Sequence, residues 1–202
     1  SSDVCSSDLE KKVTIEDIKY LLSSYYQGTP YNPYGKDPLF RGKYRSIGVP
    51  NTDDSAILQI RGYEVDELKG VEWISLGGSA FTGCFPFYTN VNDLPKYLSD
   101  TTKEASTEYY YWASRYLASL TDAHFASAII HSERYQATVF NKGRELLNSC
   151  DKKYKETKDL KLLAETNKEI VDFVYKETLK CLNNLLGNAG EHMKTRYHRG
   201  DN

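Results

Sequence analysis

Three kinds of hydrophobic spacing divide the chain. Ile15, Ile18, Leu22 and Tyr25 recur at helical intervals behind Thr14, a good N-cap, with Asp17 three residues further on in a near capping-box arrangement. Gly28 and the pair Thr29-Pro30 stop this helix. Residues 28–54 carry four of the six prolines together with Gly28, Gly35, Gly42 and Gly48. A loop of this length is uncommon without a function, and Tyr31, Tyr34, Phe40 and Tyr44 predict that it packs on a body. The spacing then changes to period two. In Ser55 to Arg61, Ala56, Leu58 and Ile60 form an apolar face, and Ser55, Ile57, Gln59 and Arg61 a mixed one. Val71 to Leu76 is a second strand. Phe81 to Tyr88 is a third, with Phe81, Phe85 and Phe87 on one face and Gly77-Gly78 as the turn before it.

Beyond residue 93 the period is helical. Tyr109, Trp112, Tyr116 and Leu120 form one stripe, Tyr135, Val139, Leu146 and Cys150 a second, and Ile170, Val174, Cys181 and Leu185 a third, with charges between them. The pattern predicts an α+β chain: one helix, about three antiparallel strands, then three or four helices. Three strands leave edges that need partners, and the mixed face of the first strand needs a covering layer. Part of a sheet is therefore expected to lie outside this chain.

Composition narrows the classes. At 202 residues, 40% hydrophobic and 27% charged, the chain has enough material for one domain with its own core. A net charge of −2 provides no electrostatic footprint for nucleic acid. Trp73 to Asn92 lacks charge, but Gly77-Gly78, Pro86 and recurring Ser, Thr and Asn argue against a membrane span. Four cysteines without paired spacing suit neither a disulfide scaffold nor a zinc knuckle. Residues 1–9, SSDVCSSDL, resemble the translated read-through of a sequencing adapter joined in frame. They are expected to be a foreign, unstructured and dispensable segment in which Cys5 has no role, so that residues 10–202 form the working domain. No secretory signal is visible, and a cytoplasmic location is expected.

Candidate chemistry is sparse. His124, His131, His192 and His198 show no metal-binding spacing and read as surface or capping residues, so no metal and no cofactor are expected. Cys84 lies mid-strand among aromatics and reads as buried and inert; Cys150 and Cys181 read as core. Gly77-Gly78-Ser79 lacks the Lys and the helix of a phosphate loop, Arg199-Gly200-Asp201 is a chance tripeptide in a polar tail, and Asp151 to Lys161 reads as a solvated helix end or turn. The segment Asn51-Thr52-Asp53-Asp54-Ser55, flanked by Arg45 and Arg61, is more informative. Amide and guanidinium groups near a strand end suit a carboxylate or oxyanion; the alternative is a turn held by Asx-type hydrogen bonds.

Several blocks in order carry a resemblance: Tyr26-Gln-Gly-Thr-Pro-Tyr-Asn-Pro-Tyr-Gly35, Tyr44-Arg-Ser-Ile-Gly48, Ala56-Ile-Leu-Gln-Ile-Arg61, Val71-Glu-Trp-Ile-Ser-Leu-Gly77, Phe85-Pro-Phe-Tyr88, and Tyr111-Trp112 through Asp122-Ala-His124. Over residues 10 to about 180 the chain resembles the C-terminal part of bacterial cysteine dipeptidases of the dipeptidase A type. The resemblance implies part of a four-layer αββα N-terminal-nucleophile hydrolase fold and dipeptide substrates attacked through a thioester. The nucleophile would be an N-terminal cysteine that this chain lacks, so no catalytic residue carries over and the chain alone is expected to be inactive and to self-associate. Ala56 departs from the polar His that members often carry there. The substrate cleft is expected to border the 28–55 loop, with Arg45 receiving a carboxylate, Asn51 donating to an oxyanion and Ser55 beside them. An acylase of the bile-salt or penicillin amidase type on the same fold, and a non-enzymatic helical interaction module, are the alternatives. A homo-oligomer is compatible with either enzyme.

Overall fold

Thr14 opens the first helix as the sequence predicts. The computed structural model describes residues 12–193. The foreign-segment expectation for residues 1–9, together with His198 and the Arg199-Gly200-Asp201 tripeptide, lies outside the described residues. Helix α1 runs Ile15–Leu22. The Asp17 amide donates to Thr14 Oγ1 at 3.2 Å, and the Thr14 amide donates back to Asp17 Oδ2 at 2.8 Å. The helix ends at Ser23, one turn before the predicted stop. Ser23 Oγ donates to the Lys19 carbonyl at 2.8 Å, a local bond that competes with continuing the helix. The Gly48 amide then takes the Ser24 carbonyl at 2.7 Å. Tyr25 is buried as expected, but off the helix.

Strands β1 (Asp54–Ile60), β2 (Gly70–Leu76) and β3 (Phe85–Tyr88) form one antiparallel sheet in the order β1-β2-β3, with Ile57 opposite Trp73 and Trp73 opposite Pro86. A single 3₁₀ turn, Asp66–Leu68, lies between β1 and β2. The third strand starts at Phe85 rather than Phe81. Residues 77–84 instead form a knot of turns: the Phe81 amide donates to the Gly78 carbonyl at 2.8 Å and Thr82 Oγ1 to the Gly77 carbonyl at 2.6 Å. Gly77 and Gly78 have φ of 64° and 21°. A Cβ on Gly78 would sit 2.8 Å from the Pro50 carbonyl oxygen, so both conformation and close approach require glycine.

Four helices follow: α2 (Lys96–Ser99), α3 (Tyr110–Ala123), α4 (Phe125–Thr157) and α5 (Lys161–Glu191). The second and third predicted stripes are the core stripes of α4 and α5, except that Leu147 is buried deeper than its neighbour Leu146. The first stripe is displaced by one residue. The buried line on α3 is Tyr110, Ala113, Leu117 and Thr121, while Tyr116 is exposed. Small residues at Ala113 and Ser114 let α3 approach closely, and the large aromatics beside them stay half-covered at the rim.

The faces of β1 are the reverse of what alternation suggests. Ser55, Ile57 and Gln59 face inward, and Ile57 joins Leu68, Val71, Trp73, Tyr88, Phe140, Leu147, Cys150, Tyr154 and Leu163 in one core cluster. Leu58 and Ile60, nominally the apolar face, are 73% and 85% exposed. The mixed face is acceptable inside because its polar groups have partners. Trp73 Nε1 donates to Gln59 Oε1 at 3.0 Å. Arg61, just past the strand and 4% exposed, forks onto Asp151 of α4: Nη1 to Oδ2 at 2.5 Å and Nη2 to Oδ1 at 3.1 Å. Tyr88 Oη donates to Asp151 Oδ1 at 2.6 Å, and Arg61 Nε donates to the Leu68 carbonyl at 3.0 Å. Asp151 is thus a buried anchor, not part of a solvated helix end.

The two sheet edges differ. At β3, Asn167 of α5 acts as a strand: its Oδ1 accepts the Tyr88 amide at 2.9 Å and its Nδ2 donates to the Tyr88 carbonyl at 3.0 Å. The edge expected to be open is closed there by a side chain. The outer edge of β1 pairs with no strand among the described residues, and its Leu58 and Ile60, opposite Glu72 and Gly70 of β2, are exposed. An apolar face beside an open edge recruits other chains. Leu58→Lys with Ile60→Lys is therefore expected to reduce self-association of the 202-residue chain in sedimentation velocity while leaving its melting temperature nearly unchanged. Undiminished association would show that another surface is responsible.

Candidate functional site

The segment that precedes β1 is pinned at both ends. Tyr34 stacks on Phe125 with ring centroids 3.7 Å apart, and its hydroxyl donates to Asp122 Oδ1 at 2.5 Å. Burial, with that hydrogen bond, raises the Tyr34 phenol above its ordinary range. At the other end Arg115 of α3 pairs with Asp53 at 2.9 Å, and the Gly77 amide donates to the Asp53 carbonyl at 2.7 Å. On either side of Tyr34, Tyr26 and Tyr31 join Phe40 and Tyr44 in a chain of ring contacts, the closest being Tyr31–Tyr44 at 4.9 Å. The long loop is therefore an ordered wall, as its aromatics predict.

Ser55 is the sequence-predicted residue that the fold carries into a cavity. It lines a small space of about 10 Å³ beneath β1 and β2 with Lys19, Leu22, Ser23, Ile57, Trp73, Ser75, Ser79 and Cys84. Lys19 and Ser23 also line a wider cleft of about 600 Å³ between α1 and α4, so the two spaces share one wall. Arg45 and Asn51 are exposed and lie in neither space. Neither side chain makes a hydrogen bond or ion pair with the described residues, and no Asx-type bond ties Asn51 down. Arg61 is not available as their partner, because Asp151 holds it on the inner side of the sheet.

Lys19 is the residue that the stripe reading passed over. With Ile15, Ile18 and Leu22 it completes an i, i+3, i+4, i+7 stripe, so a lysine in an apolar line was the available signal. Its ammonium lies 5.8 Å from the Phe140 ring centroid. Burial lowers its pKa below the usual lysine value, with a smaller opposing effect from Cys84. Cys84 is buried, and that burial pushes its thiol up to about 12, which keeps it from being a thiolate nucleophile. Among the described residues no cluster of three or more His, Cys, Asp or Glu is placed to hold a metal, and no helix is long and apolar enough to cross a membrane.

Comparison with known proteins assigns the class. Residues 5–138 match peptidase family C69, and the chain belongs to that family. It is 35% identical over 195 residues to a probable dipeptidase A of Streptococcus pyogenes serotype M18 (strain MGAS8232), covering 95% of this chain and 41% of that protein. It is 43% identical over 144 residues to a dipeptidase of Bifidobacterium longum (strain NCC 2705), covering 70% of this chain and 27% of that protein. A probable dipeptidase B of Lactococcus lactis subsp. lactis (strain IL1403) is 30% identical over 197 residues, 96% of this chain and 42% of that protein. The chain thus spans about two fifths of the Streptococcus and Lactococcus proteins.

Proposed function

We propose that this chain is the C-terminal part of a cytoplasmic N-terminal-nucleophile cysteine dipeptidase. The observation that carries the reading is the similarity, over 95% of the chain, to a protein named as a probable dipeptidase A. The nucleophile is a cysteine outside residues 10–202. Its own α-amine, which titrates near neutrality, takes the thiol proton. The thiolate attacks the dipeptide carbonyl, the amine of the second residue leaves with a proton, and water hydrolyses the thioester. The burial of Cys84, Cys150 and Cys181 supports placing that nucleophile elsewhere, and such free thiols suit a reducing compartment.

The exposed Leu58 and Ile60 on the outer face of β1 support a sandwich in which a second sheet, from the rest of the protein, covers β1. The aromatic loop then walls the substrate cleft, Arg45 receives the dipeptide carboxylate and Asn51 donates to the oxyanion, with Ser55 behind them. The exposure of Arg45 and Asn51 and their lack of partners among the described residues support these roles.

The full-length protein is expected to hydrolyse free dipeptides in preference to acyl-amide substrates, with activity lost on thiol alkylation. Arg45→Ala in that protein is expected to raise KM for free dipeptides more than for carboxyl-amidated ones, with little change in melting temperature. An equal effect on both substrates would remove Arg45 from carboxylate recognition. A preference for acyl amides would move the protein to the acylase class.

A further inference from the structure

The cleft of about 600 Å³ between α1 and α4 contains two charges of opposite sign without ion-pair partners among the described residues. Glu16, which lines it, is bound by Arg144, and Asp17 is engaged in the Thr14 capping box. Lys19 has no carboxylate of the described residues within salt-bridge distance, and its stem is half-buried between α1 and Phe140. Glu133, on α4, is exposed on the same cleft and makes no hydrogen bond or ion pair with the described residues. Ser23, Gln27 and Asn141 add polar groups to the lining, and Tyr25, Ala80 and Phe140 add apolar surface.

A few placed polar groups among apolar walls, in a cleft of this size, are what a small polar ligand requires. A partly desolvated ammonium without a counter-ion gains most from a ligand carboxylate, and an exposed carboxylate on the facing helix suits a ligand ammonium. We propose that this cleft binds a small zwitterion, a free α-amino acid or dipeptide, with Lys19 holding the carboxylate and Glu133 the ammonium. The proposal rests on the dipeptidase reading only for which zwitterion occupies it. A dipeptide carries both charged ends, and hydrolysis releases amino acids that carry both as well.

The test is calorimetric titration of the full-length protein with L-alanine, which cannot be hydrolysed, and with N-acetyl-L-alanine and L-alaninamide. L-alanine is expected to bind, and loss of either charge to weaken binding about tenfold or more. Lys19→Met keeps the stem that packs on Phe140. It is expected to weaken L-alanine and N-acetyl-L-alanine by about tenfold and leave L-alaninamide unchanged. Glu133→Gln is expected to show the mirror pattern, weakening L-alanine and L-alaninamide but not N-acetyl-L-alanine. Because Glu133 is exposed, this second variant tests the site even if Lys19→Met disturbs α1. L-alanine affinity unchanged in both variants, or no binding of L-alanine at millimolar concentration, overturns the proposal.

Kinetics separate the two sources of the zwitterion. If the site holds substrate, Lys19→Met raises KM for L-alanyl-L-alanine, and Lys19 then replaces Arg45 as the partner of the dipeptide carboxylate. If it holds product, KM is unchanged and inhibition by L-alanine weakens. Either result supports the site. Zwitterion binding with the expected variant pattern, but without dipeptide hydrolysis, would overturn the dipeptidase reading and leave the site standing. Hydrolysis without variant-sensitive binding would do the reverse.

Discussion

Asp151→Ala is expected to destabilise the protein by about 3–5 kcal/mol, one of the largest losses available to a single substitution in this chain. The reason is the position of Asp151 between three elements. Its two oxygens hold both terminal nitrogens of Arg61 after β1, and one also accepts the Tyr88 hydroxyl of β3, while its own backbone is in α4. Arg61 and Asp151 are 4% and 7% exposed, so water cannot replace the lost carboxylate. Truncation leaves a buried guanidinium with only the Leu68 carbonyl, and a buried phenol with only the Leu147 carbonyl at 3.1 Å. In urea denaturation the midpoint should fall without a change in slope. Asp151→Asn, which keeps one acceptor, should lose less. The double variant Arg61→Met with Asp151→Leu should recover much of the loss, because a buried ion pair exchanged for packed apolar groups is often neutral. A loss below about 1 kcal/mol for Asp151→Ala would mean that Arg61 reaches water or another anion, and that the three elements are not joined here.

Which parts of this fold were legible in the chain follows from the range of the interactions concerned. Thr14 and Asp17 cap the first helix through bonds between residues three apart, and the sequence contains both partners. The core stripes of α4 and α5 follow from periodicity over helices of 33 and 31 residues. The inner face of β1 was not legible. Alternation separates Ala56, Leu58 and Ile60 from Ser55, Gln59 and Arg61, but which set turns inward depends on partners far along the chain. Asp151 lies 90 residues beyond Arg61. The same holds for the edge of β3, since nothing near Tyr88 announces that an asparagine 79 residues later will pair with it. At the candidate site, Ser55 was legible as a strand-end hydroxyl, whereas its grouping with Lys19 needs the packing of α1 under the sheet. Lys19 itself was visible only as an anomaly in an apolar stripe. The exposure of Leu58 and Ile60 has the same character: the sequence marks the face as apolar, and none of the described residues covers it.

Asn167→Leu should be comparably severe, because one side chain satisfies two backbone groups. Asn167 is 1% exposed and Tyr88 fully buried. Leucine has nearly the same volume but can neither accept the Tyr88 amide nor donate to its carbonyl. Each orphaned group costs about 1–3 kcal/mol, so a total of roughly 2–6 kcal/mol is expected. Hydrogen exchange at the Tyr88 amide should accelerate by more than the global loss alone accounts for. Asn167→Asp separates the two bonds. An ionised aspartate still accepts the Tyr88 amide, but its second oxygen faces the Tyr88 carbonyl at the place where Nδ2 donates at 3.0 Å. Protonation restores a donor there, and burial favours the same neutral form, so the folded-state pKa of this aspartate rises above its unfolded value of about 3.9. The sign of the linkage follows. The contribution is fully present below the unfolded pKa and is lost as pH rises toward the folded pKa, so Asn167→Asp should be closer to wild type at pH 4 than at pH 7. A variant with the same deficit at both pH values, or Asn167→Leu with wild-type stability, would show that the Tyr88 backbone finds another partner and that α5 does not close this edge of the sheet.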